Sequence, residues 1–285
     1  MSRETAVLPL LCVLASLLSQ YVGAASAKAL FPQVGVEGVT ALRVAISAAI
    51  LMALWRPWRQ WPPRSAWRDL ILYGAMLGLM NLSIYRAMAR IPIGVAIAIE
   101  VTGPLTVALL GSRRWRDVLW VALAAAGLLM LLPLGGQQAL DPVGVAHAAA
   151  AAGCWALYIV FGKRVSALPG AQAAAWGMLV ASVLIVPLGV AHAGAALLSP
   201  TVWLTGLTVA VMSGALPYSL EMLALRRLPS SVFGLLVSAS PAVAALVGFV
   251  MLGEQLTLLQ SLAVACVVAA SAGSAWCASA SRSGA

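Results

Sequence analysis

Charged residues are scarce in this 285-residue sequence: they make up 9% of the chain, whereas hydrophobic residues make up 62%. A soluble domain carries about 25% charged residues, and a disordered chain is poor in apolar residues. An unpaired charge inside a bilayer is costly, so a membrane-embedded chain avoids charges. The composition therefore excludes a soluble or disordered protein and predicts an all-α protein that spans a membrane.

Residues that usually build metal or catalytic sites are also few. The chain has two histidines, and its four cysteines lie singly in apolar stretches without a Cys-x-x-Cys pair. Zinc sites and disulfide frameworks need clustered ligands, and the nucleotide-binding motif Gly-x-x-x-x-Gly-Lys-Ser/Thr is missing. We therefore predict no metal, no cofactor and no enzymatic activity. Two other functions are disfavoured. A membrane enzyme acting on lipids would need clustered acids or histidines, which the sequence does not offer. A non-transporting scaffold would not need the isolated acid that lies within one apolar segment.

Positive charge is unevenly distributed between ten apolar segments. These segments cover approximately 7–27, 38–55, 69–87, 92–111, 117–134, 143–161, 171–192, 201–220, 230–251 and 257–277. With the N-terminus inside, thirteen of the 17 lysines and arginines fall on the cytoplasmic side, and Lys28, Arg86 and Arg90 fall outside. Because cytoplasmic loops carry the excess of positive charge, we predict a multi-pass protein of the bacterial inner membrane with both termini cytoplasmic. The partner of these basic loops is then membrane lipid and not nucleic acid.

Two short motifs recur at a fixed spacing. Arg90-Ile-Pro92 recurs as Arg227-Leu-Pro229, and the stretch from Pro104 to Gly111 resembles the stretch from Pro241 to Gly248; both pairs are 137 residues apart. A duplicated unit of five helices has an odd number of crossings, so its copies are oppositely oriented. Inverted repeats with a substrate site at their interface are typical of secondary transporters. We predict two five-helix repeats, residues 1–140 and 141–285.

Four stretches carry a family resemblance: Gly38-Val-Thr-Ala-Leu-Arg43, Ile99-Glu-Val-Thr-Gly-Pro-Leu105, Gly153-Cys-Trp-Ala-Leu-Tyr158 and Ala215-Leu-Pro-Tyr-Ser-Leu-Glu-Met222. They resemble the EamA type of the drug/metabolite transporter superfamily, over essentially the whole chain. The resemblance implies two EamA repeats, ten helices and export of small neutral amino acids of the threonine and homoserine kind, in exchange for protons. The alternative is efflux of another small metabolite or a cationic drug by the same fold. Helix nine of that superfamily often carries a glutamate before the proline that matches Pro241, whereas this chain has Ser240.

Glu100 is the strongest candidate for transport chemistry. It lies eight residues after Pro92 and eleven before Gly111, roughly 12 and 16 Å from the ends of its segment. A carboxylate so far from either interface is a functional hypothesis by default. We predict that it binds a substrate ammonium group and couples transport to protons. The structural alternative is an ion pair with Lys28 or Arg43.

Two prolines predict breaks in membrane helices. Pro104 removes the N–H that would reach the carbonyl of Glu100, and Pro241 does the same for Val237. Paired breaks in corresponding helices indicate a transporter site; a simple kink is the alternative.

Polar and aromatic residues within the apolar segments complete the predicted site. Arg43 can hold a substrate carboxylate through two N–H groups, or else reach lipid headgroups. Trp155 and Tyr158 are three residues apart and share a helix face. We predict that these residues line a substrate cavity together with Tyr21, Asn81, Tyr85 and Tyr218. Packing or anchoring at the membrane interface is the alternative for each. The oligomeric state and the coupling stoichiometry are not predicted.

Overall fold

The computed structural model describes residues 3–110, 115–131, 140–165, 168, 170–217, 220 and 236–280. All regular secondary structure in these residues is helical, which confirms the predicted all-α class. The helices are α1 (Arg3–Trp55), α2 (Trp67–Met88), α3 (Ile93–Glu100), α4 (Thr102–Leu110), α5 (Trp115–Leu131), α6 (Pro142–Val165), α7 (Gly170–Ala193), α8 (Pro200–Ala210), α9 (Ser240–Leu252) and α10 (Leu258–Ala280).

Helix α1 contains two of the predicted segments, 7–27 and 38–55. A straight helix of 53 residues would be about 80 Å long, far more than the roughly 30 Å of a bilayer's hydrocarbon core. The helix is broken at Gly35, which has a φ of 68° and a ψ of 171°. A side chain would strain this backbone conformation, so glycine suits the position. The break divides α1 into an N-terminal arm (3–34) and a C-terminal arm (36–55).

Several helices are built to contact lipid. Within the described residues, four stretches have the length and hydropathy to cross a membrane: Pro9–Trp55, Arg64–Met88, Pro142–Val165 and Gln172–Leu198. Shorter apolar helices cover Ile93–Val107, Ser240–Leu252 and Leu258–Gly273. Large apolar side chains are exposed on these helices, including Val183, Leu204 and Val250, which is 70% exposed. Lipid is the solvent that suits such a surface, and these features confirm a membrane protein.

Helix α3 lies at the centre of the fold. All eight of its residues are buried, and it packs against α2, α6, α9 and α10. Its sequence is apolar on every side until its last residue, Glu100, and a helix that is apolar all round is stable only when it is surrounded. Gly94 allows the close contact with α9, because a Cβ at that position would overlap Ala245. Glu100 is thereby placed in the interior.

Each predicted proline follows a short interruption of its helix, called a break below, at which Val101 and Ala239 keep right-handed helical dihedrals. The predicted segment 92–111 is divided into α3 and α4 at Val101, three residues before Pro104. Ser238 and Ala239 form a turn directly before α9, and Pro241 comes three residues after Ser238. Val101 and Ser238 are 137 residues apart, which is the spacing of the two repeated motifs.

Candidate functional site

A cavity of about 290 Å³ lies beside the end of α3. This volume is at the lower end of the range for small-molecule sites. Its wall is formed by both arms of α1, by α2, α3, α6 and α7, and by residues 213–217 and 237–240. Apolar side chains such as Leu17, Ile84 and Ile97 alternate there with hydroxyl, amide and charged groups.

The structure brings seven of the eight predicted substrate-binding residues to this wall. They are Tyr21, Arg43, Asn81, Tyr85, Glu100, Trp155 and Tyr158. The eighth, Tyr218, lies outside the described residues, although its neighbour Pro217 is part of the wall. Pro104 and Pro241 do not contribute to the described wall; they follow the helix breaks next to it. The roles of all these residues in transport stay predictions.

Glu100 carries the one carboxylate in the described wall of the cavity. The residue is 6% exposed. Its carboxylate accepts no hydrogen bond from the part of the chain that the structure describes, and no lysine, arginine or histidine there lies within 4.0 Å of it. Arg43 is the cation whose charge acts on it. The carboxyl group of Glu100 is therefore available to a ligand or to a proton.

Arg43 carries the one basic group in the same described wall and is fixed in position. Its guanidinium donates one hydrogen bond to the side-chain oxygen of Asn81 and another, of 2.9 Å, to the backbone carbonyl of Ser213. The guanidinium carbon lies 5.3 Å from the centre of the Tyr85 ring, which is a cation–π distance. A guanidinium has five N–H donors, so donors remain for a ligand. The guanidinium of Arg43 is thus held at the cavity wall.

The carbonyl that Arg43 binds belongs to an unusual turn. Helix α8 continues into a π-helical turn, Val211–Ala215, and π turns change the alignment of the backbone carbonyls and are frequent at functional sites. Ser19, in the N-terminal arm of α1, donates a 2.7 Å hydrogen bond to the carbonyl of Met212. Both arms of α1 therefore bind the π-helical turn, and the Ser213 carbonyl of this turn orients the guanidinium of Arg43.

The ion pair expected under the structural alternative for Glu100 is not formed. Lys28 instead forms a 2.6 Å salt bridge with Glu254. The other oxygen of Glu254 accepts a 2.8 Å hydrogen bond from the backbone N–H of Ile93, at the start of α3. One acid therefore fixes the beginning of α3, and Glu100, at the end of the same helix, has no ionic partner among the described residues.

Both helix breaks next to the cavity carry a hydroxyl group bonded to the backbone. Thr102 donates to the carbonyl of Ile99, and Ser240 donates to the carbonyl of Val237, each at 2.6 Å. The carbonyl of Val237 is the one that Pro241 leaves without its helical N–H. Ser240 satisfies it and is part of the cavity wall, where it adds a hydroxyl but no charge.

Sequence reasoning missed several polar members of the wall: Gln20, Ser47, Ser213 and Ser240 as a cavity residue. A serine inside an apolar helix has no periodic pattern that separates a cavity residue from a packed one. Ser213 acts through its backbone carbonyl, which no side-chain pattern reveals. Ser47 and Tyr85 are distinctive because their hydroxyl oxygens are buried and bond to no other described residue.

Comparisons with known proteins give the family. The model of the EamA-like transporter family matches residues 142–276. The chain is 48% identical to the threonine/homoserine exporter RhtA of Salmonella typhimurium strain LT2 and 47% identical to that of Escherichia coli strain K12, each over 268 residues that cover 94% of this chain and 91% of the relative. A crystal structure that is 20% identical shares the fold, with a TM-score of 0.59 over 95% of this chain and 97% of the other. The chain therefore belongs to the EamA-like transporter family.

Proposed function

We propose that this chain is a secondary transporter that exports small neutral amino acids of the threonine and homoserine kind across the bacterial inner membrane, in exchange for protons. The observation that carries the proposal is the placement of Glu100 and Arg43 in one cavity wall without an ion pair between them. An acidic and a basic group that form no ion pair with each other suit a ligand that carries both a positive and a negative charge. The names of the two exporters that are 47% and 48% identical support the substrate class.

An amino acid has the two charged groups that this wall complements. Its ammonium group donates to the carboxylate of Glu100, and its carboxylate accepts from the remaining N–H groups of Arg43. Hydrogen bonds to charged partners are about twice as strong as those between neutral groups. Because Asn81 and Ser213 already orient the guanidinium, little ordering is needed when the substrate binds.

The same carboxylate explains exchange for protons. When the substrate ammonium leaves, Glu100 has no other cationic partner within 4.0 Å among the described residues. An unpaired carboxylate in the interior of a membrane protein is costly, so a proton takes the place of the ammonium group. Substrate and proton compete for one group, and this competition couples their movements in opposite directions.

We further propose ten membrane crossings, arranged as two inverted repeats of residues 1–140 and 141–285. The helix breaks at Val101 and Ser238 and the family match to residues 142–276 support the repeat, and the asymmetry of positive charge supports cytoplasmic termini. Reporter fusions after residues 60 and 115 should then lie in the cytoplasm, and fusions near residues 138 and 195 in the periplasm. A periplasmic reporter at residue 115 would contradict both the helix count and the inversion.

Efflux of a cationic drug is the second candidate, and one observation favours it. Four aromatic residues, Tyr21, Tyr85, Trp155 and Tyr158, share the cavity wall with Glu100. Aromatic faces attract cations when water is excluded, and an acid adds to that attraction. This arrangement would suit a cation that lacks a carboxylate, and such a ligand would leave Arg43 unused.

Efflux from proteoliposomes distinguishes the two candidates. Vesicles containing the full chain are loaded with labelled threonine, homoserine or a lipophilic cation, and efflux is followed with and without an inward proton gradient. We expect the gradient to accelerate efflux of both amino acids, whereas protein-free vesicles show no acceleration. Gradient-driven efflux of the cation alone would favour the second candidate. Release of none of these compounds would contradict the proposed function.

A further inference from the structure

Two hydroxyl groups at the cavity have no hydrogen-bond partner among the residues that the structure describes. The side-chain oxygens of Ser47 and Tyr85 are buried and bond to no other described residue, and the two residues are 4% and 1% exposed. Buried polar groups in folded proteins are nearly always hydrogen-bonded, because an unpaired one loses its water without compensation. Both residues are part of the cavity wall, so a ligand in the cavity is the partner that the structure offers them.

The phenol ring of Tyr85 is held by its neighbours. The Arg43 guanidinium carbon lies 5.3 Å from the ring centre, and the centre of the Phe31 ring lies 5.9 Å from it. Arg43 is itself bonded to Asn81 and to the π turn. These contacts restrict rotation of the ring and thereby fix the position of its hydroxyl in the cavity wall.

Ser47 lies one helical turn after Arg43 in α1, and residues four apart share a helix face. A Cβ added at Gly214 would lie 2.8 Å from the Ser47 oxygen. Gly214 is also part of the cavity wall. The missing side chain at residue 214 therefore keeps space open next to this hydroxyl.

We infer that Ser47 and Tyr85 hydrogen-bond the side-chain hydroxyl of the exported amino acid and give the cavity its preference for hydroxylated substrates. The inference rests on the proposed function and names the groups that set its specificity. Threonine carries its hydroxyl on the β carbon and homoserine on the γ carbon, and two partners at different points of the wall serve both. An apolar isostere leaves these hydroxyls unpaired, and sites of this kind discriminate strongly against such a ligand.

The test is a ratio of efflux rates in proteoliposomes. Threonine is compared with valine, and homoserine with norvaline, because each pair differs by a hydroxyl in place of a methyl group. We expect the wild type to favour the hydroxylated member of each pair. Tyr85→Phe and Ser47→Ala should each lower at least one ratio by about tenfold, the effect of one lost hydrogen bond. Gly214→Ala should have the same effect as Ser47→Ala, because it crowds that hydroxyl.

Ser271→Ala is the matched control. Ser271 also has a buried hydroxyl that bonds to no described residue, but it is not part of the described cavity wall, so both ratios should stay at the wild-type value. A poorly expressed variant changes both rates of a pair equally and leaves the ratio interpretable. Unchanged ratios in Tyr85→Phe and Ser47→Ala, with threonine still exported, would overturn the inference and leave the proposed function standing. A wild type that exports neither threonine nor homoserine would overturn both.

Discussion

The break after α3 and the break before α9 have similar backbones but different side-chain chemistry. Each break lies three residues before a proline, and each has a hydroxyl that bonds a carbonyl three residues earlier. With the spacing of 137 residues, the position of Glu100 in the first half corresponds to Val237 in the second. Both residues are part of the cavity wall. The helix break and the charge are therefore separate features: both halves have the break, and the described part of only one brings an acid to the cavity.

The largest expected effect comes from removing that acid. Glu100→Gln keeps the shape and much of the hydrogen-bonding capacity but cannot exchange a proton, so gradient-driven efflux should fall at least about a hundredfold. The variant should still insert, because a neutral amide is cheaper in a membrane than a carboxylate. Glu100→Asp should retain partial activity.

Ser240→Ala, at the other break, is the matched variant and should keep gradient-driven efflux within about threefold of the wild type, since it alters one neutral hydrogen bond. Equal losses in Glu100→Gln and Ser240→Ala would show that the breaks, and not the acid, determine coupling.

The sequence predicted an all-helical chain and an interior position for Glu100, for clear physical reasons. Glu100 lies roughly 12 and 16 Å from the ends of its apolar segment, so its side chain is far from either membrane interface. The sequence did not predict that one helix continues from Arg3 and is interrupted only at Gly35. Residues 28–37 contain charged residues, proline and glycine, which indicated a loop. The π turn was also not predictable, since it accompanies tertiary hydrogen bonds from Ser19 and Arg43.

An intermediate effect is expected at Arg43. Lysine keeps the positive charge but lacks the planar group that binds Asn81 and the Ser213 carbonyl together. Arg43→Lys should therefore raise the KM for threonine roughly tenfold, with a smaller change in maximal rate. Arg86→Lys is the matched control, because Arg86 pairs with Glu37 and is not part of this cavity's described wall. An unchanged KM in Arg43→Lys would show that the guanidinium of Arg43 does not bind the substrate carboxylate.

A smaller and equal effect is expected from the hydroxyls at the two breaks. Thr102→Val and Ser240→Ala each remove one hydrogen bond to a backbone carbonyl, so each should lower the free energy of unfolding by about 1 kcal/mol. The free energy of unfolding of both variants is compared with that of the wild type by thermal unfolding in detergent. A much larger loss in one of them would show that the two breaks are not stabilised alike.

The smallest effect concerns Asp141, outside the membrane-spanning helices. Its carboxylate accepts hydrogen bonds from Arg90 and from the backbone N–H of Val143, which hold its pKa below the usual range. A carboxyl group whose pKa is lower in the folded protein stabilises the fold at pH values above its unfolded-state pKa of about 3.9. This stabilisation is lost as the pH falls through its folded-state pKa. Asp141→Asn should thus be slightly less stable than the wild type at pH 7, and the difference should shrink below about pH 4. A constant difference across this range would argue against the charged interaction.

Proton movement is the most direct test of the claim that one acid couples the two fluxes. Proteoliposomes with a trapped pH indicator are loaded with threonine, and outward threonine movement is started without an imposed proton gradient. We expect the vesicle interior of the wild type to acidify as threonine leaves, Ser240→Ala to behave in the same way, and Glu100→Gln to move no protons. Acidification by Glu100→Gln at the wild-type rate per threonine exported would show that Glu100 does not couple the two fluxes.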